Sequence, residues 1–292
     1  MSKKATFFMH TVELERLKAR KGARKRSEIP NDVLWALNHG KIETVNLVEW
    51  LAIDMPLLLR NSLTEIGWKE KIDNLYDQSL KLQDQGITKG LKGIGKILFN
   101  ALEEEENQTD IFETLANHTS DMVRAWAAFS IAADQTFSLP ERLKIMRRFA
   151  ADGSFSVREC AWDALRSYLV DDLAYSLDLL TEWVKDEDPN IRRCAVEATR
   201  PRGVWCKHIP TLKKNPEPGL TILEFVRSDP SNYVQRSVAN WLNDASKSNP
   251  DWVINTCLRW KKESPTKETN WIIKHALRTL KKQNTLSQDI KI

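Results

Sequence analysis

Val157-Arg-Glu-Cys-Ala161 is followed 34 residues later by Ile191-Arg-Arg-Cys-Ala195. The pattern is an apolar residue, usually a basic one, two variable positions and a small apolar residue. It occurs earlier as Val123-Arg-Ala-Trp-Ala127 and later as Val234-Gln-Arg-Ser-Val238 and Ile272-Ile-Lys-His-Ala276, with successive spacings of 34, 34, 43 and 38 residues. Two apolar positions four residues apart share one helix face, and a period of this length belongs to helical pairs that bury their apolar faces on their neighbours. The expected fold class is therefore all-α, a HEAT-like superhelix (an α-α solenoid) with a concave face for a partner. Short polar runs ahead of several copies, Asp152-Gly153, Asp186-Glu-Asp-Pro-Asn190 and Asp229-Pro-Ser-Asn232, supply residues that cap the following helix. The long third spacing is explained by an insertion after the Ile191 copy, RPRGVWCKHIPTLKKNPEPG, residues 200–219.

Composition agrees with this reading. Only 10 Gly and 11 Pro occur in 292 residues, too few for a turn-dense β-sandwich or barrel or for a collagen-like chain. No apolar run approaches the ~18 residues that cross a bilayer. The first residues have no apolar stretch of signal-peptide length, so a cytoplasmic location is expected. The cysteines Cys160, Cys194, Cys206 and Cys257 are scattered and read as small buried hydrophobes; Cys206 and His208 have no second pair at zinc spacing. Lys3 to Arg26 holds nine Lys/Arg against Glu13 and Glu15. That stretch reads first as a solvated arm, and otherwise as one that tracks phosphates. Leu91-Lys-Gly-Ile-Gly-Lys-Ile-Leu98 reads as a turn at a helix start rather than as a phosphate-binding glycine turn. With the acidic run Glu103–Glu106 as a soft boundary, residues 1–105 form an N-terminal helical region with its basic arm, and 106–292 the repeats that carry the binding face.

Equivalent repeat positions stand side by side when the helices stack. The second position reads Arg124, Arg158, Arg192, Gln235, Ile273, and the third Ala125, Glu159, Arg193, Arg236, Lys274. The third position thus forms a basic row with one carboxylate in it. Between Ile191 and Lys214 seven Lys/Arg, among them Arg200 and Arg202, face one acid, Glu197, and Lys247 and Arg278 add charge further on. A row of this kind suits a duplex backbone, where each neutralised phosphate releases counterions; the alternative is arginines paired with acids of the neighbouring turn. Glu159 shares a face with Trp162 and Asp163, at i+3 and i+4. It reads either as a salt-bridge partner of Arg193 or Arg124, or as a group facing developing positive charge, such as a deoxyribosyl oxocarbenium ion.

Two strings carry a family resemblance. Residues 197–205, EATRPRGVW, and residues 233–253, YVQRSVANWLNDASKSNPDWV, resemble the AlkC branch of bacterial alkylpurine DNA glycosylases. The second string also looks like a helix of the AlkD branch, in which an arginine precedes a tryptophan by five residues, here Arg236 and Trp241. The similarity covers roughly residues 120 to 282. It implies a HEAT-like enzyme that hydrolyses the N-glycosidic bond of cationic N3- or N7-alkylated purines such as 3-methyladenine and 7-methylguanine, without metal or cofactor. Such a protein is expected to act as a monomer on double-stranded DNA containing alkylated bases, and to be nucleoid-associated when bound. The resemblance assigns chemistry to a carboxylate, Glu159 by repeat equivalence with Asp163 and Asp152 as alternatives, and to Trp162 and Trp241 as aromatic faces. Arg124, Arg158, Arg192, Arg193, Arg200, Arg202, Arg236, Lys247, Lys274 and Arg278 are the expected DNA contacts. A superfamily member without its carboxylate would instead be a non-catalytic binder of damaged or branched DNA. A protein-binding helical scaffold is the third reading.

Overall fold

The computed structural model describes residues 11–203 and 206–283. Among them every regular element is helical, and no helix is long and apolar enough to cross a membrane. Residues 3–10 of the basic arm, and Val204 and Trp205 of the quoted EATRPRGVW string, lie outside the described residues. The chain divides into two compact units, the first running to Gln135 and taking in Gly153–Val157, the second comprising Thr136–Asp152 and everything from Arg158 onward.

The first unit holds α1 (Thr11–Lys18), α2 (Asn31–Asn38), α3 (Leu47–Trp50), α4 (Met55–Glu65), α5 (Ile72–Leu80), α6 (Ile87–Leu102), α7 (Gln108–Ala116) and α8 (Asp121–Ala133). From Thr11 the basic arm is folded. Leu17 is fully buried, and Arg20 donates to Glu49 through Nε at 3.0 Å and Nη2 at 2.5 Å. The glycines of residues 91–98 lie inside α6, so neither a helix-start turn nor a phosphate-binding turn forms there. Gly95 instead lets α6 lie close on α8. A Cβ at that position would fall 2.8 Å from the carbonyl carbon of Phe129 and 3.0 Å from the nitrogen of Ser130. The α6–α8 packing is the most extensive helix pairing in the unit, and the boundary expected near residue 105 lies inside it.

The second unit holds α9 (Leu139–Ala150), α10 (Phe155–Asp171, which begins in the first unit), α11 (Leu173–Val184), α12 (Pro189–Ala198), α13 (Pro210–Lys214), α14 (Leu220–Leu223), α15 (Asn232–Ser246), α16 (Pro250–Glu263), α17 (Lys267–Ala276) and α18 (Arg278–Lys282). Their starts are capped as the polar runs require. Asp188 accepts from Asn190 N–H at 2.8 Å, with Pro189 at the first helical position, and Ser231 accepts from Tyr233 N–H at 3.3 Å. Helix α12 packs on α11 and α15, and α15 packs on α16 and α17.

The repeat pattern maps onto helix interiors. Its first positions, Val123, Val157, Ile191, Val234 and Ile272, and its fifth, Ala127, Ala161, Ala195, Val238 and Ala276, are all buried. The second position has a shared task that the sequence reading did not foresee: it reaches back six residues to a carbonyl in the turn before its own helix. Arg124 Nη1 donates to His118 O at 2.7 Å, and Arg158 Nη1 to Asp152 O at 2.6 Å. Arg192 Nη1 donates to Asp186 O and Gln235 Nε2 to Asp229 O, both at 2.8 Å. The device satisfies carbonyls that leave one helix before the next begins.

Candidate active site

Four of the expected residues meet in one cavity of about 130 Å³ in the second unit. Helix α10 brings Glu159 and Trp162, and α12 brings Arg193. Arg200 stands just past the end of α12, and Gly203 and Asn240 complete the wall with a residue the sequence reading passed over, Glu197. A signal for it existed: Glu197 stands four residues after Arg193 and three before Arg200, on one helix face.

Glu159 is engaged at both oxygens. Arg193 Nη2 donates to Oε1, and Trp162 Nε1 donates to Oε2 at 2.9 Å. Its carboxylate nonetheless keeps about a third of its side-chain surface, 34%, whereas that of Glu197 keeps 5%. Glu197 accepts from Ser237 Oγ at 2.6 Å and from Arg200 Nη1 at 3.0 Å, with Arg193 Nη2 at 3.9 Å. Burial opposes its charge, but the facing Arg193 and Arg200 guanidiniums and the Ser237 hydroxyl hold its carboxyl below the usual range. Burial likewise opposes the charge on Arg193, and Glu159 and Glu197 outweigh it and raise that guanidinium's pKa. Arg200 continues the alternation to Asp244, Nε to Oδ2 at 2.9 Å, and Lys247 closes it at Oδ1, 3.1 Å. Charges of alternating sign therefore run Glu159, Arg193, Glu197, Arg200, Asp244, Lys247. Tyr233 lies under the second and outside the run: the Cζ of Arg193 is 4.3 Å from its ring centroid.

Other expected site residues are placed elsewhere, for identifiable reasons. Trp241 is fully buried; its Nε1 donates to Thr199 O at 3.0 Å, and Gly219 leaves room for its ring. It is a core residue and offers no face to a ligand. Arg192 forms a two-point pair with buried Asp229, Arg124 pairs with Glu43 in the first unit, and Arg158 lies on Tyr233 with Nε 3.3 Å from its hydroxyl. These three second-position arginines hold turns and helices, and their expected role as a DNA row is corrected accordingly. Arg202 donates to Asp244 O at 3.3 Å and to Ser248 Oγ at 2.6 Å. Asp163 and Asp152 do not line the cavity. Asp163 lies instead where it favours the charge of Arg166.

The remaining cations lie outside the cavity wall. Arg236 and Lys274 are exposed, and among the described residues neither makes an ion pair. Arg236 is one helical turn before Asn240, and Lys274 one turn before Arg278, whose Nη2 donates to Asn240 Oδ1 at 2.8 Å. Glu159 and Arg193 are the members of the third-position row in direct contact.

Two solved structures share the helical-repeat fold. The Pseudomonas fluorescens alkylpurine DNA glycosylase AlkC, bound to DNA containing an abasic site analog, is 25% identical with a TM-score of 0.66, over 78% of this chain and 62% of that one. AlkD2 from Streptococcus mutans is 23% identical with a TM-score of 0.54, over 70% of this chain and 98% of that one. The family model described as DNA alkylation repair enzyme matches residues 88–280, and the chain belongs to that family. A curated relative, the uncharacterized protein YhaZ of Bacillus subtilis (strain 168), is 42% identical over 97 residues, 33% of this chain and 27% of its own length. The chain thus spans less than two thirds of either AlkC or YhaZ.

Proposed function

We propose that this protein is a DNA glycosylase that hydrolyses the N-glycosidic bond of cationic N3- or N7-alkylated purines in double-stranded DNA. The observation that carries the reading is the pair of carboxylates in one cavity, Glu159 at its open side and Glu197 buried and held ionised between two arginines. As the C1′–N bond breaks, its electron pair goes to the departing base and neutralises it, and positive charge develops on the deoxyribose. A carboxylate aimed at that charge stabilises the transition state. Water then adds to C1′ and loses a proton, leaving an abasic site. Trp162, whose indole N–H holds Glu159 Oε2, fixes the direction of the carboxylate. Arg236, Lys274 and Arg278 are the cations placed to meet phosphates beside the cavity. The Pseudomonas AlkC, solved with an abasic site analog, supports this substrate class.

A second reading has one observation in its favour: both Glu159 oxygens already have protein partners. In that reading the protein binds damaged or branched DNA without cleaving it. Release of free base from duplex DNA carrying 3-methyladenine or 7-methylguanine separates the two. Base release supports the glycosylase, and tight binding to abasic-site DNA with no base release supports the binder.

A further inference from the structure

The cavity wall is made by two segments far apart in the chain, α10 and the stretch that follows α12, and one buried side chain joins them. Arg166 lies on α10 seven residues beyond Glu159 and four beyond Trp162, and is 4% exposed. Its guanidinium donates to three backbone carbonyls of the stretch after α12: Nη1 to Ala198 O at 2.8 Å, Nη2 to Arg200 O at 2.6 Å, and Nε to Lys207 O at 3.1 Å. The same stretch supplies Arg200 and Gly203 to the cavity. It is closed on itself by Ile209 N–H donating to Pro201 O at 3.1 Å. A planar fork with five N–H donors suits three diverging carbonyls, and a lysine ammonium on its own stem reproduces that geometry only in part.

We propose that Arg166 is a positioning residue for the cavity: it ties the segment carrying Arg200 to the helix carrying Glu159, and so sets the distance across which the two carboxylates and their arginines act. This rests on the glycosylase reading and extends it to a residue that touches neither the cavity nor DNA. Asp163, one turn earlier on α10, acquires a role here as a charge that favours the buried Arg166 guanidinium. A displacement of this segment by about 1 Å would lower the rate about 10- to 100-fold while leaving the phosphate contacts on α15 and α17 in place.

The test uses the full chain and two readouts on Arg166→Lys. One is single-turnover base release from methylated duplex beside the dissociation constant for abasic-site DNA. The other is amide hydrogen exchange at Ile209. The proposal expects base release to fall about 10- to 100-fold, DNA affinity to stay close to wild type, and the Ile209 amide to exchange faster while α12 stays protected. Base release at the wild-type rate, or unchanged exchange at Ile209, would overturn it. If Arg166→Lys melts below the assay temperature, Arg166→Gln, neutral and able to donate to one carbonyl, takes its place in both measurements. A wild type that releases no base removes the glycosylase reading and this proposal with it. That outcome is recognised by the wild type itself, whereas an active wild type matched by Arg166→Lys removes the positioning claim alone.

Discussion

Arg192 and Asp229, on opposite sides of the insertion, close a two-point ion pair: Nε to Oδ2 at 2.7 Å and Nη2 to Oδ1 at 2.9 Å. The carboxylate is 3% exposed and the guanidinium 12%. The next residue, Arg193, turns about 100° round the helix and lies in the cavity. Two adjacent arginines of one repeat therefore divide the labour, one holding the stack and the other serving the site.

That division makes a paired prediction. Arg192→Ala leaves a buried carboxylate without its partner and should cost about 3–5 kcal/mol of stability, read as a drop in melting temperature. Arg236→Ala should leave the melting temperature near wild type. It should weaken DNA binding with little regard to sequence and reduce the slope of log K against log salt by about one.

The glycines of α6 give a second pair. At Gly95 an added methyl meets the backbone of Phe129 and Ser130, which cannot yield without separating α6 from α8. Gly95→Ala should therefore destabilise by about 1–2 kcal/mol even after the helix-propensity gain of about 1 kcal/mol. At Gly93 the neighbour is the flexible end of Leu82, and Gly93→Ala should leave stability unchanged or raised. Denaturant midpoints of the two variants decide the matter. Equal losses would contradict the close-approach account.

The pH dependence of stability follows from Glu197. Its carboxyl is held below its ordinary value of 4.5 in the folded protein, because the effect of burial is outweighed by Arg193, Arg200 and Ser237. A depressed folded pKa contributes stability that is fully present above the unfolded value and is lost as pH falls through the folded one. Melting temperatures of wild type and Glu197→Gln should differ most near neutral pH, and the gap should narrow as pH falls below about 4.5. A gap that stays constant down to pH 3, or that widens on acidification, would contradict the assignment of Glu197 as the ionised partner of the two arginines.

Much of the fold was legible because the repeat is written in burial. Val123, Val157, Ile191, Val234 and Ile272 share one environment and therefore one kind of side chain. The all-helical class follows from that alone. The site was only half legible. Glu159, Trp162, Arg193 and Arg200 were found through repeat equivalence and charge, yet Arg158 and Arg192 carry the same residue type one position earlier for a different purpose. What separates Arg192 from Arg193 is the direction of each side chain and the presence of Asp229, 37 residues away, and neither is a local property. Trp241 was read as a site aromatic because tryptophan suits both a core and a stacking face. Gly219, which leaves room for its indole, is 22 residues upstream. Glu197 escaped because a single acid among seven basic residues looks like a minority charge, when it is the buried counter-ion of two of them.

The most direct measurement is single-turnover base release from duplex DNA carrying 3-methyladenine or 7-methylguanine, by wild type and by Glu159→Gln. The wild type should release free base. Glu159→Gln should do so about 100- to 1,000-fold more slowly, while it still folds and binds abasic-site DNA. The loss of the carboxylate also frees Arg193, so that binding should hold or tighten slightly. Base release by Glu159→Gln at the wild-type rate, or none by the wild type on either lesion, would contradict the account.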